Sequence, residues 1–285
     1  MSEPHTATYQ PPVAKLLTMG ECKLTKIEDW QDYLQDVGLT AADIPELIRM
    51  MTDRKLWQSE EGQEAWSVVH AWRALGQLKA VDAIAPLLSQ WGQSEDDDWL
   101  VCEAPSVFQV MGIDALPALA AAMANQSLNE WARSSPTEGL VNIAEQEPEH
   151  RAACVEVLMR QLEAYNDNPE LLNGMLVAAL LDLNGVEAVD LIEQAYVAKK
   201  VDDSIPGTWA TVQIELGLKT ESDFSPADFR PQFGSDLSSA LPMAAASGFS
   251  ADFGNVPQQL DLKPLQGFAK GVSKAAKGNK KKKKK

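Results

Sequence analysis

The chain has few of the residues that build disulfide frameworks, metal sites and catalytic centres. Its three cysteines, Cys22, Cys102 and Cys154, lie far apart with no CxxC pair, so neither a disulfide framework nor a structural zinc site is indicated. No GxxxxGK[ST] or strand-borne GxGxxG sequence occurs, so we expect no nucleotide cofactor. The N-terminus lacks a basic start followed by an apolar run, and no apolar run reaches about 18 residues. These absences predict a soluble cytoplasmic protein without a membrane span.

Charge is distributed unevenly along the 285 residues, whose formal net charge is -16. From Lys263 to the end there are ten lysines and no acidic residue. Without those ten, 15 basic residues face 41 acidic ones, which gives a body of net charge -26. The body should repel nucleic acid and anionic membrane, whereas the tail should attract both.

Apolar residues recur at helical spacing from about residue 40 to 218, and alternating β-branched runs are nearly absent. Gly76 is expected to cap a helix that ends at Leu75, and Gly112 occupies the same position 36 residues later. Pro148 is expected to open another helix, and Asn184 to form a further corner. Corners at intervals of roughly 30 to 45 residues are typical of HEAT-type solenoids. The sequence therefore predicts an all-α, HEAT-like α-solenoid of about four or five helix pairs, with an irregular helical bundle as the alternative.

The ends of the chain differ from this core. Residues 1–39 are predicted to be an N-terminal segment, either a short helix or a cap. Residues 219–262 have scattered Phe between Pro, Ser, Gly and Asp and are predicted to form an extended or disordered arm. Its phenylalanines, including Phe249 and Phe253, are expected to dock on the core or on a partner. Residues 263–285 form the basic tail.

Three segments carry a resemblance: WSVVHAWRALGQLKAVDAIAPLL, SEDDDWLVCEAPSVFQVMG and VEAVDLIEQAYVAKKVDDSIPGTW. They resemble a family of uncharacterised bacterial HEAT-like proteins and are distantly similar to the repeats of phycobilisome lyases. The resemblance covers about residues 40 to 218 and implies a fold but no established activity. Such proteins often end in a cysteine-rich zinc motif, whereas this chain ends in KGNKKKKKK.

The inventory of catalytic groups is small, with three histidines in the whole chain. His70 follows Trp66 by four residues on an apolar helix and could pair with Cys102 as base and nucleophile. A hydrogen-bonded role between packed helices is the favoured interpretation. The sequence therefore predicts no catalytic residue, no metal and no cofactor.

The acidic run Glu95, Asp96, Asp97 and Asp98 has oxygen ligands suited to calcium or magnesium. It lacks the Asp-x-Asp-x-Asp-Gly frame of an EF-hand loop. Acidic residues just before a helix favour its positive end, so capping is the preferred interpretation.

Six of the eight tryptophans fall between residues 57 and 131. Tryptophan is enriched where binding energy is concentrated, so a partly exposed subset near Arg73 and the acidic run is predicted to contact a partner protein. We expect one or two of the six to be exposed. The candidate residues are Trp66, Trp72, Arg73, Trp99, Glu95, Asp96, Asp97, Asp98, Phe249 and Phe253.

The block Lys280, Lys281, Lys282, Lys283, Lys284 and Lys285 is suited to non-specific phosphate contact or to an acidic protein surface. Base readout is not expected, because no aromatic residue is interleaved. The leading hypothesis is a non-catalytic adaptor whose repeat surface binds another protein, with the tail as a second contact. Two alternatives stay open: a phycobilin-lyase-like or chaperone-like client-handling protein, and an RNA- or ribosome-associated factor tethered by the lysines.

Overall fold

The computed structural model describes residues 9–59, 62–91 and 98–231, and within them all regular secondary structure is helical. The predicted all-α class is confirmed for this part of the chain. Several predicted site residues lie outside the described residues: Glu95, Asp96, Asp97, Phe249, Phe253 and Lys280 to Lys285. The α-helices of the described residues are α1 (Ile44–Met51), α2 (Arg54–Trp57), α3 (Ser67–Gln77), α4 (Ile84–Leu88), α5 (Asp98–Met111), α6 (Leu116–Ala124), α7 (Glu130–Gln146), α8 (Arg151–Leu162), α9 (Glu170–Asp182), α10 (Val189–Val197) and α11 (Trp209–Glu215).

The helices pack against their next-but-one neighbours along the chain. In one series α1 contacts α3, α3 contacts α5, α5 contacts α7 and α7 contacts α9. In the other, α4 contacts α6, α6 contacts α8 and α8 contacts α10. Helix α7 also packs on α6 and α8 and so joins the two series.

Apolar stripes at helical spacing explain why the second series is held in place. Most residues of these stripes are buried in the core: Ile84, Leu87 and Leu88 of α4, Leu116, Leu119 and Met123 of α6, and Val155, Leu158 and Leu162 of α8. The sequence pattern also places Val81, Ile113 and Tyr165 in the stripes, and these three are only partly buried against the core. Each fully buried aliphatic side chain contributes about 1.5–3 kcal/mol relative to exposure. Burial of these stripes therefore stabilises the two-series packing.

Short 3-10 turns introduce the helices of the second series at Val81–Ala83, Gly112–Ala115, Pro148–His150 and Val186–Ala188. Two predicted corners are confirmed, because Gly112 and Asn184 have positive φ angles of 74° and 48°. Pro148 opens its 3-10 turn at the first position, as predicted.

The predicted cap at Gly76 is wrong. Gly76 lies inside α3, which ends at Gln77, and the corner residue is Lys79 with a φ of 51°. A Cβ on Gly76 would lie 3.3 Å from Cγ1 of Val107. This glycine therefore allows α3 and α5 to approach closely, while a lysine adopts the left-handed conformation.

The N-terminal segment includes a 3-10 helix at Val13–Thr18, which corresponds to the short helix among the two predicted alternatives. This helix contacts α3 and the turn at Glu64–Trp66. Val13, Leu16 and Tyr33 are fully buried in the same core as the later helices. The core of the described chain therefore begins well before residue 40.

Among the described residues, one stretch, Trp99–Ala124, is long and apolar enough by length and composition to cross a membrane. Half of an 18-residue window within this stretch is buried inside the protein. It is divided between α5 and α6 by the positive-φ turn at Gly112. Both helices pack against other helices of the described chain.

Candidate functional site

Arg73 and Glu103 form a buried ion pair between α3 and α5. The Arg73 guanidinium donates through Nε to Oε2 of Glu103 at 2.9 Å and through Nη2 to Oε1. Nη2 also donates to the Lys23 carbonyl at 2.7 Å, and the Trp72 indole donates to Oε2 of Glu103 at 2.8 Å. The hydrogen bonds and negative charge of Glu103 outweigh the cost of burial and raise the pKa of Arg73. Both charges are thus paired and hydrogen-bonded, as a buried pair requires.

His70 lies beside this pair and connects α3 to the N-terminal segment. Its Nε2 is 3.0 Å from the Gly20 carbonyl, which can only accept, so Nε2 carries the proton. Nδ1 then accepts from the Tyr33 hydroxyl at 2.8 Å. Burial lowers the pKa of His70 to about 4, and the nearby Arg73 contributes. The imidazole is therefore neutral at neutral pH. We call Cys22, Tyr33, His70, Arg73 and Glu103 the buried cluster.

The cysteine beside His70 is Cys22, whose Sγ lies 3.5 Å from both ring nitrogens, and not Cys102. Burial raises the pKa of the Cys22 thiol to about 12. A nucleophilic cysteine needs its thiolate, and both groups are neutral here. The geometry therefore fits a hydrogen-bonded packing role for His70.

The prediction that Trp66, Trp72 and Arg73 contact a partner protein at the surface is wrong, because all three residues are buried. Trp99 is half-buried, and its ring meets that of Trp66 edge-on at 5.0 Å. The physical reason is that α3 is enclosed by α1, α5 and the N-terminal segment.

The acidic run ends where a helix begins, because α5 starts at Asp98. Residues 95–97 lie outside the described residues, so the capping interpretation stays a prediction. Within the described ranges, no group of three or more His, Cys, Asp or Glu side chains is arranged to hold a metal ion.

The most exposed large apolar side chain on α7 is Trp131, with 57% of its surface accessible. Glu138 and Glu145 follow it at intervals of seven residues and are also exposed. Residues seven apart lie on nearly the same face of an α-helix. One face of α7 therefore presents an indole and two carboxylates over about 21 Å, at 1.5 Å per residue.

Two further carboxylates extend this face onto neighbouring helices. The Glu138 residue is exposed, but the protein around it removes part of the water from its carboxylate, and this desolvation raises its pKa. The charge of Asp182 on α9 raises the pKa further. Burial and then the charges of Glu145 and Glu215 raise the pKa of Asp182. Desolvation also raises the pKa of Glu215 on α11. We call Trp131, Glu138, Glu145, Asp182 and Glu215 the acidic face.

No ion pair within the described parts of the chain involves the four carboxylates of the acidic face. Mutual repulsion is therefore left uncompensated, which is unfavourable for the protein alone and favourable for a cationic ligand. Trp131 is one of the six clustered tryptophans but not one of the predicted partner-binding residues. Its spacing of seven from two glutamates was the signal that could have selected it.

Comparison with protein-family models, curated proteins and solved structures finds no match to this chain.

Proposed function

We propose that this chain is a non-catalytic protein-binding scaffold, built as a HEAT-like α-solenoid, whose acidic face binds a lysine- or arginine-rich segment of another protein. The solenoid is supported by the two series of next-but-one helix contacts and by the recurrent 3-10 corners. The binding role is carried by one observation: an exposed tryptophan shares a helix face with carboxylates that lack cationic partners.

The chemistry of the acidic face suits a cationic segment in two ways. Each lysine or arginine that approaches the carboxylates relieves their mutual repulsion and lowers their pKa. Trp131 supplies an indole face over which a guanidinium or ammonium group can lie. Tryptophan and arginine are enriched among the few residues that carry most of the binding energy of a protein interface, so Trp131 and an arginine of the bound segment are the expected anchors.

The test is affinity purification from native cells with the full chain and a triple-acid variant, Glu138→Gln/Asp182→Asn/Glu215→Gln. These substitutions keep side-chain size and remove three negative charges from the acidic face. We expect the variant to lose a defined set of proteins that the wild type retains.

A control variant, Glu163→Gln/Asp190→Asn/Glu193→Gln, removes the same charge from exposed positions at the end of α8 and on α10. It should retain those proteins. Equal losses in both variants would show that net charge and not the acidic face governs capture. No loss in either variant would overturn the binding role of the acidic face.

The lysines Lys280 to Lys285 are proposed as a second contact, which would raise effective concentration at the partner. Deleting them should weaken capture without changing which proteins are captured. If RNA or ribosomes, and no proteins, are lost at low salt, the tail serves nucleic acid and its role in the scaffold fails.

A further inference from the structure

The C-terminal end of the described chain contains a cleft of about 450 Å³ between α10, α11 and residues 224–230. Tyr196, Trp209 and Phe224 line it with aromatic surface. The Tyr196 and Trp209 ring centroids lie 5.6 Å apart, and the Tyr196 hydroxyl donates a hydrogen bond to the Gly207 carbonyl at 2.6 Å. Val197, with 76% of its surface exposed, stands in the same lining. The C-terminal cleft therefore offers unfilled apolar surface to a ligand.

Charged residues in the lining favour an anionic group in that ligand. Lys199 and Arg230 are exposed, and neither side chain is hydrogen-bonded or ion-paired within the described residues. By contrast, the Asp228 carboxylate already accepts from the backbone N–H and the hydroxyl of Ser225, at 2.7 and 2.9 Å. Asp203 is buried and makes contacts of its own. Two cations beside aromatic walls thus lack an acidic partner.

The sequence repeats part of the cleft wall further along the same chain. Ala227, Asp228 and Phe229 belong to the wall segment, and Phe229 packs edge-on against Phe224 at 6.0 Å. The same three residue types recur at positions 251–253, preceded by Phe249. Between residues 232 and 262, Asp252 is the one acidic residue with a phenylalanine within three positions on each side.

We propose that the C-terminal cleft is the docking site for residues 249–253 of the same chain. The Phe rings occupy the surface of Tyr196, Trp209 and Val197. The Asp252 carboxylate pairs with Lys199 and Arg230. Desolvation by the aromatic walls strengthens this pairing relative to one in open solvent.

The length of the connection favours docking within one molecule. Arg230 lies in the cleft lining, and 18 residues, 231–248, separate it from Phe249. A flexible chain of that length has a root-mean-square span of about 20–25 Å. Short tethers of this kind give effective concentrations on the order of millimolar. A second molecule at micromolar concentration therefore competes poorly.

The experiment titrates a fluorescein-labelled peptide of residues 247–255 against two full-length proteins, wild type and Phe249→Ala/Phe253→Ala. The double substitution disables the chain's own segment and leaves every described residue unchanged. We expect the double variant to bind the peptide by fluorescence anisotropy, and the wild type to bind it at least about tenfold more weakly.

Two further substitutions in the double variant locate the site. Val197→Glu should abolish peptide binding, whereas Val186→Glu, at another exposed apolar position 11 residues earlier, should leave it unchanged. A peptide carrying Asp252→Asn should bind several-fold more weakly. Unchanged affinity would overturn the pairing with Lys199 and Arg230.

Equal binding by wild type and double variant, or no binding by the double variant, would overturn the proposal. Sedimentation of the wild-type protein tests for exchange between molecules. A dimer that Phe249→Ala/Phe253→Ala dissolves would place the segment in a second copy and overturn docking within one chain. A monomer together with competition by the tethered segment supports it. None of these results depends on the partner of the acidic face, so they leave the proposed function untouched.

Discussion

The buried cluster and the acidic face differ in whether their charged groups are paired. In the cluster, Arg73 and Glu103 neutralise each other away from solvent, and the neighbouring Trp72 completes the hydrogen bonding. On the acidic face, carboxylates of α7, α9 and α11 repel one another, and no ion pair within the described residues compensates them. The first arrangement has both of its charges paired, whereas the second leaves its carboxylates without a cation among the described residues.

Removing one member of the buried pair should have the largest effect. Glu103→Ala leaves the Arg73 guanidinium buried and unpaired, so we expect a loss of about 3–5 kcal/mol in the free energy of unfolding. Urea denaturation followed by circular dichroism measures it. Glu187→Ala breaks a half-exposed pair with Arg151, 3.0 Å apart, and should cost only about 0–1 kcal/mol. Similar losses for both variants would contradict the distinction between buried and solvent-facing pairs.

Acidification should weaken the buried cluster next most strongly. The unfolded chain protonates His70 near pH 6.5, but the folded protein holds its pKa at about 4. The depressed pKa therefore contributes stability that is complete above pH 6.5 and is lost progressively towards pH 4. The total is roughly 3 kcal/mol, since one pKa unit corresponds to about 1.4 kcal/mol.

Urea titrations of wild type and His70→Gln between pH 7.5 and about 4.5 would measure this slope. The variant should be less stable at pH 7.5 but less sensitive to acid. His150→Gln serves as the control, because His150 is partly exposed near Glu147 and outside the cluster. An acid sensitivity that His70→Gln leaves intact would locate the sensitive group elsewhere.

Neutralising the acidic face should increase the free energy of unfolding, by less than the two losses described above. The raised pKa values of Glu138, Asp182 and Glu215 mean that ionisation destabilises the folded protein at neutral pH. The triple-acid variant should therefore be more stable at pH 7, by less than about 1 kcal/mol after solvent screening. The cost of ionising these carboxylates in the folded protein is lost as the pH falls through their raised pKa values in the folded state and then below their pKa values in the unfolded chain. The difference in stability between the variant and the wild type should therefore shrink. Thermal unfolding at pH 7 and at about pH 4 checks this, and a difference that does not shrink would contradict the raised pKa values.

The smallest effect on stability is expected at Trp131. Because this indole is mostly exposed, Trp131→Ala should change the free energy of unfolding by no more than about 0.5 kcal/mol. Trp72→Ala, on the buried side of the comparison, should cost about 3–5 kcal/mol. Chemical denaturation distinguishes them, and loss of protein capture by Trp131→Ala alone would assign the indole to binding. Retained capture would remove Trp131 from the acidic face.

Apolar spacing was enough to predict the helical class and the buried stripes of α4, α6 and α8, because burial of such stripes is a local consequence of helical periodicity. Spacing could not show that Trp66, Trp72 and Arg73 are buried. Their position depends on the N-terminal segment, which packs over α3 from about fifty residues away in sequence: Gly20, Cys22 and Lys23 contact His70 and Arg73.

The candidate sites were harder to predict for a similar reason. The acidic face joins α7, α9 and α11, so it needs the packing of successive helices as well as the sevenfold spacing on α7. The C-terminal cleft is closed by Phe224 and Arg230, which lie in the region predicted to be an extended or disordered arm. Composition predicts that the phenylalanines of this arm dock, but it does not predict on which surface.

The left-handed corners at Lys79 and Asn184 have a consequence for how freely this chain can vary. A non-glycine residue there bears about 1–2 kcal/mol of backbone strain. Glycine removes that strain but loses roughly 0.5–1 kcal/mol through the greater freedom of the unfolded chain. The two terms largely offset each other, so selection has little reason to hold any one residue at a corner. The architecture can therefore persist through extensive sequence drift at its turns, provided that the apolar spacing between them is kept.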